Sequence, residues 1–365
     1  VDKIHESTSH TGSKTMLCAA MDGKQHSWEP FNREQDGRYD VQRNLYKNRL
    51  GNKLCFEEIN RDLQLAFRYT WVMSDAFGFA RQCELQNLGN KAVNIDLLDG
   101  LQNILPAGTP RFAQTNTSNL VDAYKWTELD EQTGLALFTL YSGITDRAEP
   151  CESLRANTVF CLGLEDPTVM ISSNQLGVFR AGESPRQERQ RRGVRGAYLV
   201  NATLELASQA SQHWQFVADM EKDQAQVLEL REQLTKPNDV ADAVERSVED
   251  GSDALARIMA SADGFQAAAE VNVAVHHYAN VLFNVLRGGI FDDQYNISSW
   301  DFRNTIRSFN RDVYERNRDL LDSLPQTLKV AELWSTIEDQ GDAQLTRLSH
   351  EYLPITFGRR HGDPS

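Results

Sequence analysis

The chain has 365 residues, 40% of them hydrophobic and 25% charged, ordinary values for a soluble globular protein long enough for two domains. Its 38 Lys and Arg stand against 52 Asp and Glu, a formal net charge of −14, which argues against a broad nucleic-acid surface. No apolar run approaches the roughly 20 residues that span a bilayer, so no integral membrane protein is expected.

The first residues, 1–37, are polar and rich in Ser, His, Lys and Gly, and are expected to form an irregular arm. From residue 38 to 215 the pattern is one of short strands: Lys53–Ile59, Leu63–Met73, Gly78–Gln86, Val93–Leu98, Gly134–Ser142, Asn157–Leu162, Val169–Ser172 and Ala197–Leu206. In the second of these Leu63, Leu65, Phe67, Tyr69 and Trp71 recur at every second position, the period of a half-buried antiparallel strand. Asn87-Leu88-Gly89-Asn90 carries hairpin chemistry between two such runs. Many short strands without helical periods predict an antiparallel β-sandwich.

The pattern changes near residue 215. Asp219–Leu234 reads as a helix, Pro237-Asn238-Asp239 breaks and re-caps the chain, and Val240–Met259 forms a second helix. Gln266–Leu286 is the most regular, with Val271, Val275, Tyr278, Leu282 and Val285 on one stripe. Helical patterns follow at Ser299–Leu321 and Gln326–Gln340. The class is therefore α+β, strands first and helices second. Five dispersed cysteines (Cys18, Cys55, Cys83, Cys151, Cys161) have no metal spacing and read as free thiols, so localisation leans cytoplasmic.

Asn272, His276, Asn280 and Asn284 form a second stripe on the helix at 266–286. They suit either a helix contact or a hydroxyl-rich ligand. Asp99, Gln102 and Asn103 can bind a ligand or build a turn. The arginines from Arg186 to Arg195 lack interleaved aromatics and read as a solvated loop. His350-Glu351 is followed by Pro354 where a zincin needs its second His, so no metal is expected. The densest cluster is Arg359, Arg360, His361 and Asp363. Two guanidiniums and an imidazole can bind an anion or several hydroxyls, with Asp363 orienting His361. An ion-paired structural loop is the alternative.

The segments LLDGLQNILP (97–106), DAYK (122–125), DRAEP (146–150), RGAY (195–198), RGGIF (287–291) and EYLPITFGRRHGDP (351–364) together resemble a group of large, mostly uncharacterised bacterial proteins similar to cellobiose phosphorylases of glycoside hydrolase family 94. The resemblance covers most of the chain from about residue 50 onward. It implies a galactose-mutarotase-like supersandwich (38–215), a helical linker (216–350) and, at 351–365, the start of an (α/α)6 catalytic barrel.

The chain is then expected to be part of a larger protein. The full-length form would cleave or phosphorolyse a β-glucosidic bond with inversion, and the catalytic acid would lie in the barrel beyond Ser365. No cofactor is implied beyond inorganic phosphate as co-substrate. The implied partners are a disaccharide or oligosaccharide, the missing barrel and a second copy in a homodimer. A non-catalytic carbohydrate-binding or scaffolding module is the alternative.

Overall fold

A computed structural model describes residues 9–143, 154–265, 269–286, 289–291, 296–352 and 355–357, the two triplets 289–291 and 355–357 as backbone. The chain divides into two compact units, Val1–Ser252 and Asp253–Ser365, the division falling inside the helix Pro237–Ser261.

In chain order the strands of the first unit are β1 (Gly12–Met21), β2 (Lys24–Trp28), β3 (Val41–Lys47), β4 (Leu54–Asn60), β5 (Leu65–Ser74), β6 (Gly78–Asn87), β7 (Val93–Ile104), β8 (Lys125–Asp130), β9 (Leu135–Leu140), β10 (Ala156–Leu162), β11 (Thr168–Ser172), β12 (Gln190–Arg192), β13 (Gly196–Leu206) and β14 (Ser211–Lys222). They build a five-stranded sheet, β11-β13-β7-β1-β2, and a nine-stranded sheet, β12-β8-β9-β10-β14-β6-β5-β4-β3. Every pairing between them is antiparallel.

Alternation decides what each sheet buries. Leu17, Ile95, Leu97 and Val200 of the shorter sheet meet Leu65, Phe67, Leu85, Phe138 and Phe216 of the longer in one core, the two-layer sandwich expected from the sequence. Each such side chain, fully buried, contributes roughly 1.5–3 kcal/mol. The opposite face of the long sheet, through Val72, Ala80, Phe160 and Val217, packs on Leu230 of the helix Gln224–Gln233 and on Val240, Val244 and Val248 of the next helix. Asp223 caps the first of these helices by accepting from Gln226 N at 2.9 Å.

Four expectations are corrected. The stretch read as an irregular arm contains β1 and β2. Met16 and Leu17 are both buried, on opposite faces of β1, so no polar alternation marks the strand. The supposed hairpin at Asn87-Leu88-Gly89-Asn90 instead carries the chain from the long sheet (β6) to the short one (β7). Asn87 is spent on this arch: its Nδ2 donates to the carbonyls of Lys91, Leu206 and Ala207 at 2.8–3.2 Å. The supposed helix start at Asp219 is the end of β14. Ser299–Leu321 is three short helices, Ser299–Phe309, Arg311–Arg316 and Arg318–Ser323, because Asn310 stops the first and caps the second.

In the second unit, Phe302, Ile306, Val313, Leu321, Leu333, Ile337 and Leu345 form a separate, fully buried core. Asp342 caps the helix Ala343–Glu351 and ties it to Arg316 at 2.7 Å and Asn317 at 2.7 Å. Donation by Arg316, then Asn317, holds the Asp342 carboxyl well below the usual carboxylate range. Gly289–Phe291 pairs antiparallel with Ile355–Phe357, Phe291 facing Ile355. The two ends of the helical segment therefore meet.

No helix among the described residues is long and apolar enough to cross a membrane. Cys18, Cys55, Cys83 and Cys161 carry free thiols.

The corner where β2 leaves the sandwich is held by one carboxylate. Glu29, 5% exposed, accepts from Lys14 Nζ at 2.6 Å, Asn32 Nδ2 at 2.9 Å and Arg180 Nε at 2.8 Å. Burial alone would raise its pKa, but the bonds from Arg180 and Lys14 override it and hold the carboxyl at about 2. A folded-state value below the ordinary 4.5 contributes stability that is complete above about pH 5 and is lost as pH falls toward 2. Glu29→Gln is therefore expected to lower stability by about 2 kcal/mol at pH 7. Denaturation midpoints across pH should show the gap to the parent closing below pH 4.5; a gap independent of pH would refute this account.

Candidate functional site

The terminal candidates Arg359, Arg360, His361 and Asp363 lie outside the described residues, as does the segment Asp146–Pro150. Most of the motif residues that are described are spent on the fold.

Asp99 sits fully buried between the two sheets. Arg81 Nη1 from β6 donates to both of its oxygens at 2.9 Å, Thr15 Oγ1 donates at 2.6 Å and Trp214 Nε1 at 2.8 Å. Arg81 also lies over the Tyr69 ring at 4.5 Å, where a guanidinium stacks well. Gln102 donates to Ser173 Oγ at 3.0 Å, and Asn103 to Thr11 Oγ1 at 3.2 Å from a left-handed backbone (φ 55°). Two further motifs meet at Asp122, which accepts from Lys125 Nζ at 2.7 Å and Arg195 Nε at 3.3 Å.

Three other arginines of that run are paired within the chain: Arg189 with Glu131 at 2.8 Å, Arg191 with Glu188 at 2.7 Å, and Arg192 3.8 Å above the Trp126 ring. On the helix Val271–Leu286, Asn272, His276, Asn280 and Asn284 are all exposed, with Asn284 Nδ2 bonded back to Asn280 O at 3.0 Å. Of the expected apolar stripe only Tyr278 is buried; Val271 and Val275 face solvent. His350 bonds Glu338 at 3.1 Å and stacks on Trp334. Among the described residues no group of His, Cys, Asp and Glu could hold a metal ion.

One site was not foreseen. It is a hollow on the long sheet, at the ends of β4, β5, β6, β10 and β14, beside the end of β7. Leu54, Trp71, Met73, Phe79, Val159, Ala218 and Met220 line this hollow of about 720 Å³, together with Ile104 and Leu105. Its size is that of small-ligand pockets, and so is the mixture of apolar wall and few polar groups.

The rim is rigid. Asn157 donates to Leu105 O at 2.7 Å and accepts from Glu221 N at 2.9 Å, Gly108 N donates to Glu221 Oε1 at 3.0 Å, and Asp219 pairs with Lys222 at 2.6 Å. At Gly78 (φ 78°) a Cβ would meet Ala218 O at 2.6 Å, so the β5–β6 turn can press onto β14 only with glycine. Trp71 and Phe79 contribute aromatic rings to the lining, and Asn157 and Asp219 contribute polar groups beside them. Such an arrangement can hold a pyranose ring by its C–H face and bond its hydroxyls.

One carboxylate is perturbed upward. Burial raises Asp96, and the Asn201 Nδ2 donation at 2.7 Å lowers it only in part. It lies on the short sheet, away from the hollow.

Residues 291–354 match the family model of glycoside hydrolase family 149 insertion domain 1. The antiparallel pairing of Gly289–Phe291 with Ile355–Phe357 brackets that stretch, the geometry an inserted segment needs if its ends are to meet. Similar solved structures include a bacterial glucoamylase complexed with acarbose (8% identity, TM-score 0.38, covering 65% of this chain and 30% of that one). A putative kojibiose phosphorylase from human microbiome is similar at 8% identity and TM-score 0.30, covering 76% and 28%. A putative aldose 1-epimerase from Klebsiella pneumoniae is similar at 10% identity and TM-score 0.31, covering 61% and 66%. The chain thus spans less than a third of the length of the glucoamylase and the phosphorylase. No curated protein matches it. The family match over residues 291–354 supports a glycoside hydrolase- or phosphorylase-like, carbohydrate-active protein, without singling out family 94.

Proposed function

We propose that this chain is the sugar-binding, non-catalytic part of a carbohydrate-active protein, and that the hollow beside Trp71 and Phe79 holds a ring of an oligosaccharide or disaccharide. The match of residues 291–354 to a glycoside hydrolase insertion domain carries this reading, and the aromatic lining of the hollow supports it. The best-held carboxylates of the first unit, Glu29, Glu58, Asp99 and Glu188, are fixed by cations and hydrogen-bond donors. They serve packing rather than proton transfer.

In the full-length protein the reaction is inverting cleavage or phosphorolysis of a β-glucosidic bond. A protonated carboxyl outside this chain gives its proton to the leaving oxygen, and phosphate or an activated water attacks the opposite face. Arg359, Arg360 and His361 are the phosphate or hydroxyl partners, with Asp363 orienting His361. Mixed with gluco-oligosaccharides and phosphate, this chain alone is expected to release no free sugar or sugar phosphate; release would refute the non-catalytic reading. Replacing Arg359 and Arg360 by Ala in the full-length protein should raise the KM for phosphate at least tenfold. An unchanged phosphate dependence would remove these residues from the site.

A further inference from the structure

Four strands end the two sheets, and three of them are protected. Along β11 the edge is covered by side chains and backbone of a neighbouring loop: Gln187 Oε1 accepts from Val169 N at 2.7 Å, Glu188 Oε2 accepts from Ile171 N at 3.0 Å, and Glu188 N donates to Val169 O at 3.0 Å. On β2 the Tyr39 hydroxyl donates to Ser27 O at 2.9 Å. The third, β12, is only three residues long. Strand β3 has none of these protections. Its seven residues contain no proline, pair with β4 in unbroken register, and carry Leu45 at 62% and Tyr46 at 51% exposure. Among the described residues its backbone bonds only to β4. An open edge of this kind is a template for another strand.

We infer that the β3 edge of the long sheet pairs with the β3 edge of a second copy of this chain, about a two-fold axis through Asn44. The register follows from charge and face. A two-fold that keeps the polar face of one sheet continuous with that of the other must set even residues opposite even ones. An axis through Arg43 sets Arg43 against itself, and an axis through Leu45 sets Arg43 against Lys47, both like-charge oppositions that destabilise a pair. The axis through Asn44 sets Arg43 against Leu45, Gln42 against Tyr46 and Val41 against Lys47, and uses all seven residues without opposing like charges. The Arg43 guanidinium is anchored by Glu58 at 2.7 Å and Asp36 at 2.8 Å, and its aliphatic stem can lie along Leu45. On the other face the row His213–Glu84–Arg68–Glu57–Asn44 would run on into its symmetry mate. An isologous, self-complementary patch of this kind closes at the dimer.

The test is sedimentation equilibrium of the chain over a concentration series, with variants on β3. A monomer–dimer equilibrium is expected for the parent. Leu45→Lys places a lysine opposite Arg43 twice and should weaken dimerisation at least tenfold; Leu45→Glu places a carboxylate there and should preserve or strengthen it. Under mild oxidation Asn44→Cys should cross-link, because residues on the axis have Cα atoms about 4.5–5.5 Å apart. Gln42→Cys should not, its twin lying roughly 13 Å away at about 3.3 Å per residue. A parent that stays monomeric overturns the proposal. A dimer equally sensitive to Lys and Glu at position 45, or cross-linked equally by the two cysteines, overturns it too.

Discussion

Arg81→Met is expected to lower the stability of the first unit by about 3–5 kcal/mol, the range for breaking a buried ion pair from one side. The cost arises less from losing the pair than from what is left. Asp99 is fully buried, and without Arg81 its charge keeps only the neutral donors Thr15 and Trp214. Arg81 also fills the space between the rings of Tyr69, Phe216 and Phe67, and a methionine replaces that contact only in part. The double variant Arg81→Met, Asp99→Leu removes the stranded charge and should recover about half of the loss. It cannot recover all of it, because Thr15 Oγ1 and Trp214 Nε1 then lack an acceptor. Urea denaturation with an unchanged m-value measures both. A single-variant loss under about 1 kcal/mol would show that the clamp between the sheets is not a stability determinant.

Gly100→Ala is the second large effect. At this position β7 pairs with Leu199 of β13, with φ 153°, and a Cβ would lie 2.0 Å from Tyr198 O and 2.8 Å from Leu199 Cα. Both obstacles are backbone, so no side chain can swing aside, and the central pair of the short sheet must separate. The expected cost is about 4 kcal/mol, at the upper end for single substitutions. Gly37→Ala is the control: its φ of 84° is also unfavourable, but nothing lies within 4 Å, so about 1–2 kcal/mol is expected. Comparable losses at the two positions would contradict the steric account.

How far the sequence could be read depended on how local the signal was. The alternation in Leu65–Trp71 gave β5 directly, and seven further strands were legible as short runs between turns. Strand β1 was not, because it mixes Lys14, Thr15, Met16 and Leu17 without a period. Turn residues were ambiguous in a different way. Asn87 and Gly89 make a tight turn, but whether that turn joins neighbouring strands or crosses between sheets depends on partners more than 100 residues away, Leu206 and Ala207. Asp99 looked like a loop carboxylate because its partner Arg81 is on another strand. The hollow could not have been found by motif at all. Its lining is drawn from residues between Gly51 and Met220, one to three per strand, and only the pairing of strands distant in sequence brings them together.

Isothermal titration of this chain with gluco-oligosaccharides, parent beside Trp71→Ala, tests the central claim most directly. Trp71 is half-buried at the edge of the core, so the variant is expected to keep its fold, as far-UV circular dichroism will report. The account predicts saturable binding to the parent and at least a tenfold loss of affinity in the variant. No heat with the parent, or equal affinity in both, would contradict it.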